Sequence, residues 1–552
     1  MKIKIFRNKE PKTPEQKREI RKDRVLIILS ALLIGISFTP FPMPFPLFLF
    51  FAFIPYFFVL EKRKTLLRIN QGNYLLVLIL SIVTIYWVGS WQSKADPFLM
   101  MGGGVLIFFY PVVFLIPSTL YYLSSRVFKG KFIIWLFPLF WVTAEYLLTL
   151  TDLKFPWLTL GHGLAKFTAF IQIADIIGAF GLSLVVLYTN IFLFRAAKSI
   201  SEKSRKYILQ ISLAGVLFLI PVIYGALKLG NFEESENKIR VGLIQPDIDP
   251  WDKWEVGSLN DLVELYFNLS QKCIDQGAEL IIWPETALPV YLLSGTYPDI
   301  VDTIYHFLRI NNVHLMTGMP DIRFYFNKDE APENSKYAEA ADYYYTTFNA
   351  ILLFSPDENE IQRYGKMHLV PLGEKTPFVE QIPFLGDLLK WGVGLSGWNT
   401  GQDTTVFMAN INSKLVKIGG LVCYESVFPV FVTHFVERDA QFLVVVTNDS
   451  WYGNSSGPYQ HKEFAALRAV ENRRAVVRSA NGGISCLIDA RGITIEETNM
   501  FTRDYLVVDV PLSDEKTFYT KNPFIVPVLC SVFSLWIFGI NILMGMKKKF
   551  KL

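Results

Sequence analysis

The sequence predicts a two-part chain: a multi-pass α-helical membrane part of eight spans, with an α/β domain inserted before the last span. Three observations carry this reading. The 552 residues are 51% hydrophobic and 15% aromatic, too apolar for an ordinary soluble enzyme. Long apolar runs broken by short polar loops fill the chain to about residue 230 and return at 523–546. Between them, 235–520 has the composition and length of a globular domain.

The runs read as spanning are 25–40, 45–60, 74–92, 103–123, 132–150, 171–194, 207–228 and 523–546, near the about 17–25 residues a bilayer core requires. Seven therefore lie in 25–230, after a basic segment 1–24, and the eighth precedes a basic tail, 547–552. The first two are short, and Phe38-Thr39-Pro40-Phe41-Pro42-Met43-Pro44 between them suits a tight interfacial turn. The first run reads as a span rather than a signal peptide, because no small-residue cleavage site follows it and more membrane runs do.

Loop charge sets the expected orientation. Ten lysines and arginines precede the first run. Lys62, Arg63, Lys64 and Arg68 follow the second, Arg126, Lys129 and Lys131 the fourth, and Arg195, Lys198, Lys203, Arg205 and Lys206 the sixth. Lys547, Lys548, Lys549 and Lys551 follow the eighth, whereas the alternate loops hold chiefly Lys94, Lys154 and Lys166. Basic residues concentrate in cytoplasmic loops, so both termini are expected in the cytoplasm and 235–520 on the far side. The net charge of +4 reflects these loops. No basic stripe interleaved with aromatics points to nucleic acid.

Within 235–520, strands are predicted at 239–244, 280–283, 314–318, 348–354, 416–422, 442–446, 475–479 and 484–488. Helices are predicted at 257–275, 297–310, 427–437 and 460–473, giving a layered α/β or α+β fold. The charged stretch 328–336 reads as a surface loop. Of the four cysteines, Cys530 falls in the last membrane run, and Cys273, Cys423 and Cys486 in the domain. An odd number in an oxidising compartment leaves at least one free thiol.

Three places on this frame suggest chemistry. Cys423 ends a buried strand just before a helix, where the backbone N–H groups of the next turn point at it. Glu285 follows the strand 280–283. Lys366 and Glu374 lie in Tyr364-Gly365-Lys366-Met367-His368-Leu369-Val370-Pro371-Leu372-Gly373-Glu374. A thiol needs a base or a cation to become a useful nucleophile; Glu285 suits the first role and Lys366 the stabilisation of an oxyanion. Singly, each has a structural explanation: a small buried hydrophobe, a helix cap, a surface charge, a surface ion pair. His368 and His461 flank motifs without metal-ligand spacing and read as hydrogen-bonded structural residues. Glu145 and Asp175, in or beside membrane runs, read as ties between helices or as the lining of a lipid path, the first preferred.

Together, W-P-E-T, G-K-x-H-L-V-P-x-G-E and G-x-x-x-C-Y-E resemble the nitrilase, or carbon–nitrogen hydrolase, superfamily. Thr447-Asn448-Asp449-Ser450-Trp451-Tyr452-Gly453, Gly457-Pro458-Tyr459-Gln460-His461, Arg468-Ala469-Val470-Glu471-Asn472-Arg473 and Asn481-Gly482-Gly483 extend the likeness. With the membrane runs and Phe155-Pro156-Trp157-Leu158, the whole chain is similar to the bacterial apolipoprotein N-acyltransferases. The resemblance implies an αββα sandwich on the periplasmic side of the inner membrane and needs no cofactor or metal. It implies acyl transfer from a membrane phospholipid to the α-amino group of an S-diacylglyceryl cysteine on an apolipoprotein, through an acyl-cysteine thioester. It makes Glu285 the general base, Lys366 the stabilising cation and Cys423 the nucleophile. Glu374 is then the accessory acid, Tyr424 and Glu425 flank the nucleophile, and Trp254 and Trp451 match pocket aromatics. Lys375-Thr376 departs from the family pattern, where an apolar residue and valine are more usual. The apolar stretch 376–401 is expected either to dip into the headgroup region as a lid or to pack on the domain. The alternative activity is that of a membrane-tethered amidase or nitrilase, hydrolysing a carbon–nitrogen bond with water as final acceptor.

Overall fold

The computed structural model describes residues 13–38, 40–128, 132–251, 258–375, 377 and 397–549. Trp254 and most of the expected lid lie outside the described residues. Six helices among those described are long and apolar enough to cross a membrane: Phe45–Lys62, Leu66–Gly89, Leu99–Val127, Ala174–Ser201, Lys206–Gly230 and Ile525–Gly545. Of the other two predicted runs, 132–150 contains the shorter apolar helix Ile133–Leu147. The run at 25–40 falls largely within Pro14–Gly35, whose first half is charged. That helix starts early because Thr13 and Gln16 form a capping box with Pro14 at the first helical position.

Ala174–Ser201 lies at the centre of the bundle, and its buried Asn190 is satisfied internally, as a bilayer demands. Asn190 accepts from Phe53 N at 2.8 Å and donates to Leu49 O at 2.6 Å. Lys206–Gly230 instead leaves Ile208, Leu209, Ile220, Ile223 and Leu227 exposed along its length, the surface expected of a helix facing lipid tails.

The second part contains thirteen described strands: β1 (Lys238–Gln245), β2 (Leu280–Trp283), β3 (His314–Tyr325), β4 (Lys336–Ala338), β5 (Tyr343–Phe354), β6 (Gln362–Gly365), β7 (Val406–Ile411), β8 (Lys414–Val422), β9 (Phe442–Thr447), β10 (Val476–Ala480), β11 (Cys486–Ile488), β12 (Thr494–Glu497) and β13 (Asp504–Pro511). They form two sheets, ordered β13-β1-β2-β3-β5-β4, with β6 on β5, and β12-β11-β10-β9-β8-β7. The centres β1-β2-β3 and β8-β9-β10 are parallel, which requires crossover connections. Helices Leu259–Ile274, Pro298–Asn311, Pro429–Glu437 and Ser456–Asn472 supply these and cover the outer faces. The result is an αββα sandwich. The sheets approach closely because Gly420 of β8 has no side chain: a Cβ there would meet Met316, Phe407 and Ile351 within 3.0 Å. Ser479 Oγ of β10 lies 3.0 Å from the carbonyls of both Ile244 and Ile282.

The sandwich is docked on the membrane part by buried polar contacts. Arg473, which ends helix Ser456–Asn472, lies 2.7 Å from Asp175 and donates to Gln172 Oε1 at 2.7 Å. Tyr224 also donates to Asp175, and Glu145 accepts from Trp141 Nε1 and Leu160 N. Both acids thus tie elements together. Trp87 and Trp157 Nε1 donate to Gln460 Oε1 at 3.1 and 2.7 Å.

Candidate active site

Cys423 sits at the C-terminal end of β8 with φ +51°, in a tight turn Cys423–Val427. This is a strained position for a residue with a side chain, as at other exposed nucleophiles. Two sets of bonds hold it. Glu425, fully buried, accepts from Val422 N (2.8 Å), Tyr364 OH (2.7 Å), Met367 N (2.7 Å) and His368 N (3.1 Å), clamping the turn to the segment after β6. On the other side, the Cys423 carbonyl accepts from Ser426 Oγ at 2.9 Å and lies 2.9 Å from His461 Nε2. His461 Nδ1 is 2.8 Å from Asp449, which also accepts from Arg478 at 2.9 Å.

Glu285 follows β2 directly and reaches the same place. Gly318 of β3 leaves the room, since a Cβ there would stand 2.6 Å from the Glu285 Cα. Lys366 follows β6 and is only 1% exposed. Its Nζ lies 2.9 Å from Glu374 and 3.5 Å from Glu285 Oε1. Asn349 of β5 donates to both acids at 2.8 Å, and Glu285 Oε2 accepts from Asn448 N at 3.0 Å. One ammonium therefore sits between two oriented carboxylates.

The electrostatics follow from this packing. Burial alone would discharge Lys366, but Glu374 and Glu285 outweigh it and hold the ammonium above its ordinary pKa. Burial, reinforced by Glu285, pushes the Cys423 thiol well above its ordinary value, against the pull of Lys366. A thiol so held needs a base to remove its proton before it can act as a nucleophile.

A narrow cleft leads to Cys423. The sandwich lines it with Tyr424, Asp449, Tyr452 and His461, and the membrane part with Trp87, Leu99, Gly102, Leu106, Phe109, Phe155 and Trp157. Tyr424 OH donates to the Lys154 carbonyl beside Phe155, joining the Cys423 turn to a membrane loop. Met101, Val105 and Phe108, on the helix that walls the cleft, are exposed. Such a lining suits an acyl chain.

The structure brings Glu285, Lys366, Glu374, Tyr424 and Glu425 together around Cys423. Trp451 lies to the side, packed edge-on against Trp251 at 4.8 Å, and its neighbour Tyr452 is the aromatic residue that lines the cleft. His368 stacks on Phe428 at 4.3 Å, and burial drives its ring pKa down to about 3. The role of Asn349 escapes the sequence reading; the only signal is one polar residue in the apolar run 348–354. The grouping of Cys423, Asp449 and His461, whose ligand-type atoms lie within 4.8 Å of one another, is equally invisible in the spacing. Both ring nitrogens and both Asp449 oxygens already have hydrogen-bond partners.

The carbon-nitrogen hydrolase family model matches residues 240–519, and that of the apolipoprotein N-acyltransferase N-terminal domain matches 30–192. The apolipoprotein N-acyltransferase of Chlorobaculum tepidum is 33% identical over 522 residues, 93% of this chain and 95% of its own. That of Geobacter metallireducens is 32% identical over 513 residues, 91% of this chain and 92% of its own. Among solved structures, an amidase from Nesterenkonia sp. covers 53% of this chain and 94% of its own at 18% identity, with a TM-score of 0.34. Each of these two relatives is matched over more than nine tenths of both chains. The chain belongs to the apolipoprotein N-acyltransferase family, with a carbon–nitrogen hydrolase fold as its second part.

Proposed function

We propose that this acyltransferase moves a fatty acyl group from a membrane phospholipid to the free α-amino group of an S-diacylglyceryl cysteine at an apolipoprotein N-terminus. The observation that carries the reading is the shared cleft: an apolar passage walled by membrane helices that ends at Cys423. An amidase with a water-soluble substrate needs no such wall.

The chemistry takes two steps. Glu285 takes the Cys423 proton as sulfur adds to the ester carbonyl, and Lys366 faces the oxygen that gains charge. Collapse of the adduct breaks the ester C–O bond. The departing lysophospholipid oxygen recovers the proton from Glu285, leaving an acyl thioester. In the second step the acceptor amine adds to the thioester, Glu285 takes the nitrogen's proton, and the Cys423 sulfur leaves and is reprotonated. Glu374 and Asn349 hold Lys366 and Glu285 in place; Glu425 holds the turn. No cofactor or metal enters. A diacylglyceryl peptide with a free amino terminus is expected to accept the acyl group as an amide, and the same peptide acetylated at that nitrogen is not. Equal release of free fatty acid with either peptide contradicts the acyltransferase reading and favours hydrolysis.

The eight apolar segments cross the bacterial inner membrane with both termini in the cytoplasm and 235–520 in the periplasm. This orientation is supported by the loop charges and gives the active cleft access to exported lipoproteins. A reporter active only outside the cytoplasm is expected to work when fused after Asn237 and to be silent after Lys203. The reverse pattern overturns the orientation.

A further inference from the structure

The membrane part holds a second and larger groove, between the first turns of helix Pro14–Gly35 and the turn that joins Ile54–Lys62 to Leu66–Ile85. Its position is fixed by the last of these helices. Twenty residues at about 1.5 Å each make about 30 Å, the thickness of a bilayer core. At the other end of that length, Trp87 meets Gln460 of the catalytic part. The groove therefore opens at the membrane face away from the active cleft, a bilayer's width from Cys423.

Its chemistry is amphiphilic. Ile27, Ile28, Leu67, Leu75 and Leu115 give it aliphatic walls, and Arg24, Lys62, Arg63, Lys64 and Arg68 face two acids, Glu19 and Asp23, at its rim. Both acids are already engaged. Lys62 lies 2.6 Å from Glu19 and 3.3 Å from Asp23, with Arg63 3.9 Å from Asp23. Burial lowers the Arg63 guanidinium pKa, against the pull of Asp23. Arg24, Lys64 and Arg68 are exposed, and among the described residues their own side chains make no hydrogen bond or ion pair; the Arg68 carbonyl accepts from Arg63. Loop lysines that merely set orientation need no cavity beneath them; here the unpaired cations ring a concave apolar surface at headgroup depth. Charge complementarity selects the occupant. A zwitterionic headgroup would bring its own ammonium against these cations, whereas a net anionic one would not.

We propose that this groove binds an anionic phospholipid in the leaflet away from the catalytic domain. The phosphate sits among Arg24, Lys64 and Arg68, and an acyl chain lies on the aliphatic wall, cementing Pro14–Gly35 to Leu66–Ile85. The lipid is not a substrate there, because the groove lies a bilayer's width from Cys423.

The test uses the full-length chain in detergent, titrated with dioleoylphosphatidylglycerol or dioleoylphosphatidylcholine and followed by native mass spectrometry and thermal midpoint. The wild type is expected to retain phosphatidylglycerol at least about tenfold better than phosphatidylcholine and to melt higher with it. The variant R24Q/K64Q/R68Q is expected to lose that preference while acyl transfer is unchanged. Binding of either lipid in the active cleft is common to both proteins, so their difference reports the groove. Should the triple variant fold poorly, Lys64→Gln alone, on an exposed turn, is expected to weaken phosphatidylglycerol retention severalfold. Equal retention of the two lipids by the wild type overturns the proposal, as does undiminished preference in the variants.

Discussion

Cys423→Ala is expected to abolish acyl transfer, with a loss of about 10⁴-fold or more, while the protein still inserts and melts as the wild type does. The size follows from the role: without sulfur there is no group to carry the acyl chain between two lipids, and water offers no substitute inside an apolar cleft. The fold survives because the turn is held by neighbours rather than by the thiol. Glu425 supplies four hydrogen bonds, and His461 and Ser426 fix the Cys423 carbonyl. Alanine at φ +51° carries the same backbone strain as cysteine. Transfer to a diacylglyceryl peptide, measured beside the thermal midpoint, checks both halves. Near-normal turnover removes Cys423 from the mechanism.

Glu285→Gln is expected to lower the rate by about 10²–10⁴-fold. The amide keeps the shape but cannot take the thiol proton. It also turns one hydrogen-bond acceptor into a donor among groups that already donate, Asn349 Nδ2 and Asn448 N. The pH dependence has a definite sign. The Glu285 charge is one of the causes that raise the Cys423 pKa, so its loss lets the thiol ionise at lower pH than in the wild type. Activity of the variant is therefore expected to climb as pH rises towards the ordinary thiol range, with hydroxide-generated thiolate replacing base catalysis in part. A flat alkaline profile, or wild-type activity at neutral pH, contradicts the assignment of Glu285 as the base.

What the sequence shows of this fold depends on burial. Strands β2 and β9, covered on both faces, are unbroken apolar runs and are legible at once. Strands β4, β6, β7, β12 and β13 are not predicted. Each lies towards a sheet margin, and β7 alternates buried with exposed positions, while β6 is four residues with no apolar run. Cys423 and Glu285 are legible because each ends such a buried strand, and Lys366 because its motif surrounds it. Asn349 is not, since its partners lie 64 and 25 residues away and only the sheet pairing brings them together. The same holds for the Glu425 clamp and for His461, whose bond to the Cys423 carbonyl spans 38 residues. Composition locates the membrane helices but not where they start. The charged turns of Pro14–Gly35 belong to the helix because capping, not apolarity, begins it.

The central claim is a covalent acyl group on Cys423 between two lipid substrates. Its most direct test is the mass of the full-length chain after incubation with phospholipid and no acceptor. The account predicts a gain of one fatty acyl group, mapped to the peptide containing Cys423, removed by hydroxylamine and discharged by a diacylglyceryl peptide with a free amino terminus. Acyl transfer that proceeds while Cys423 never carries an acyl group would contradict it.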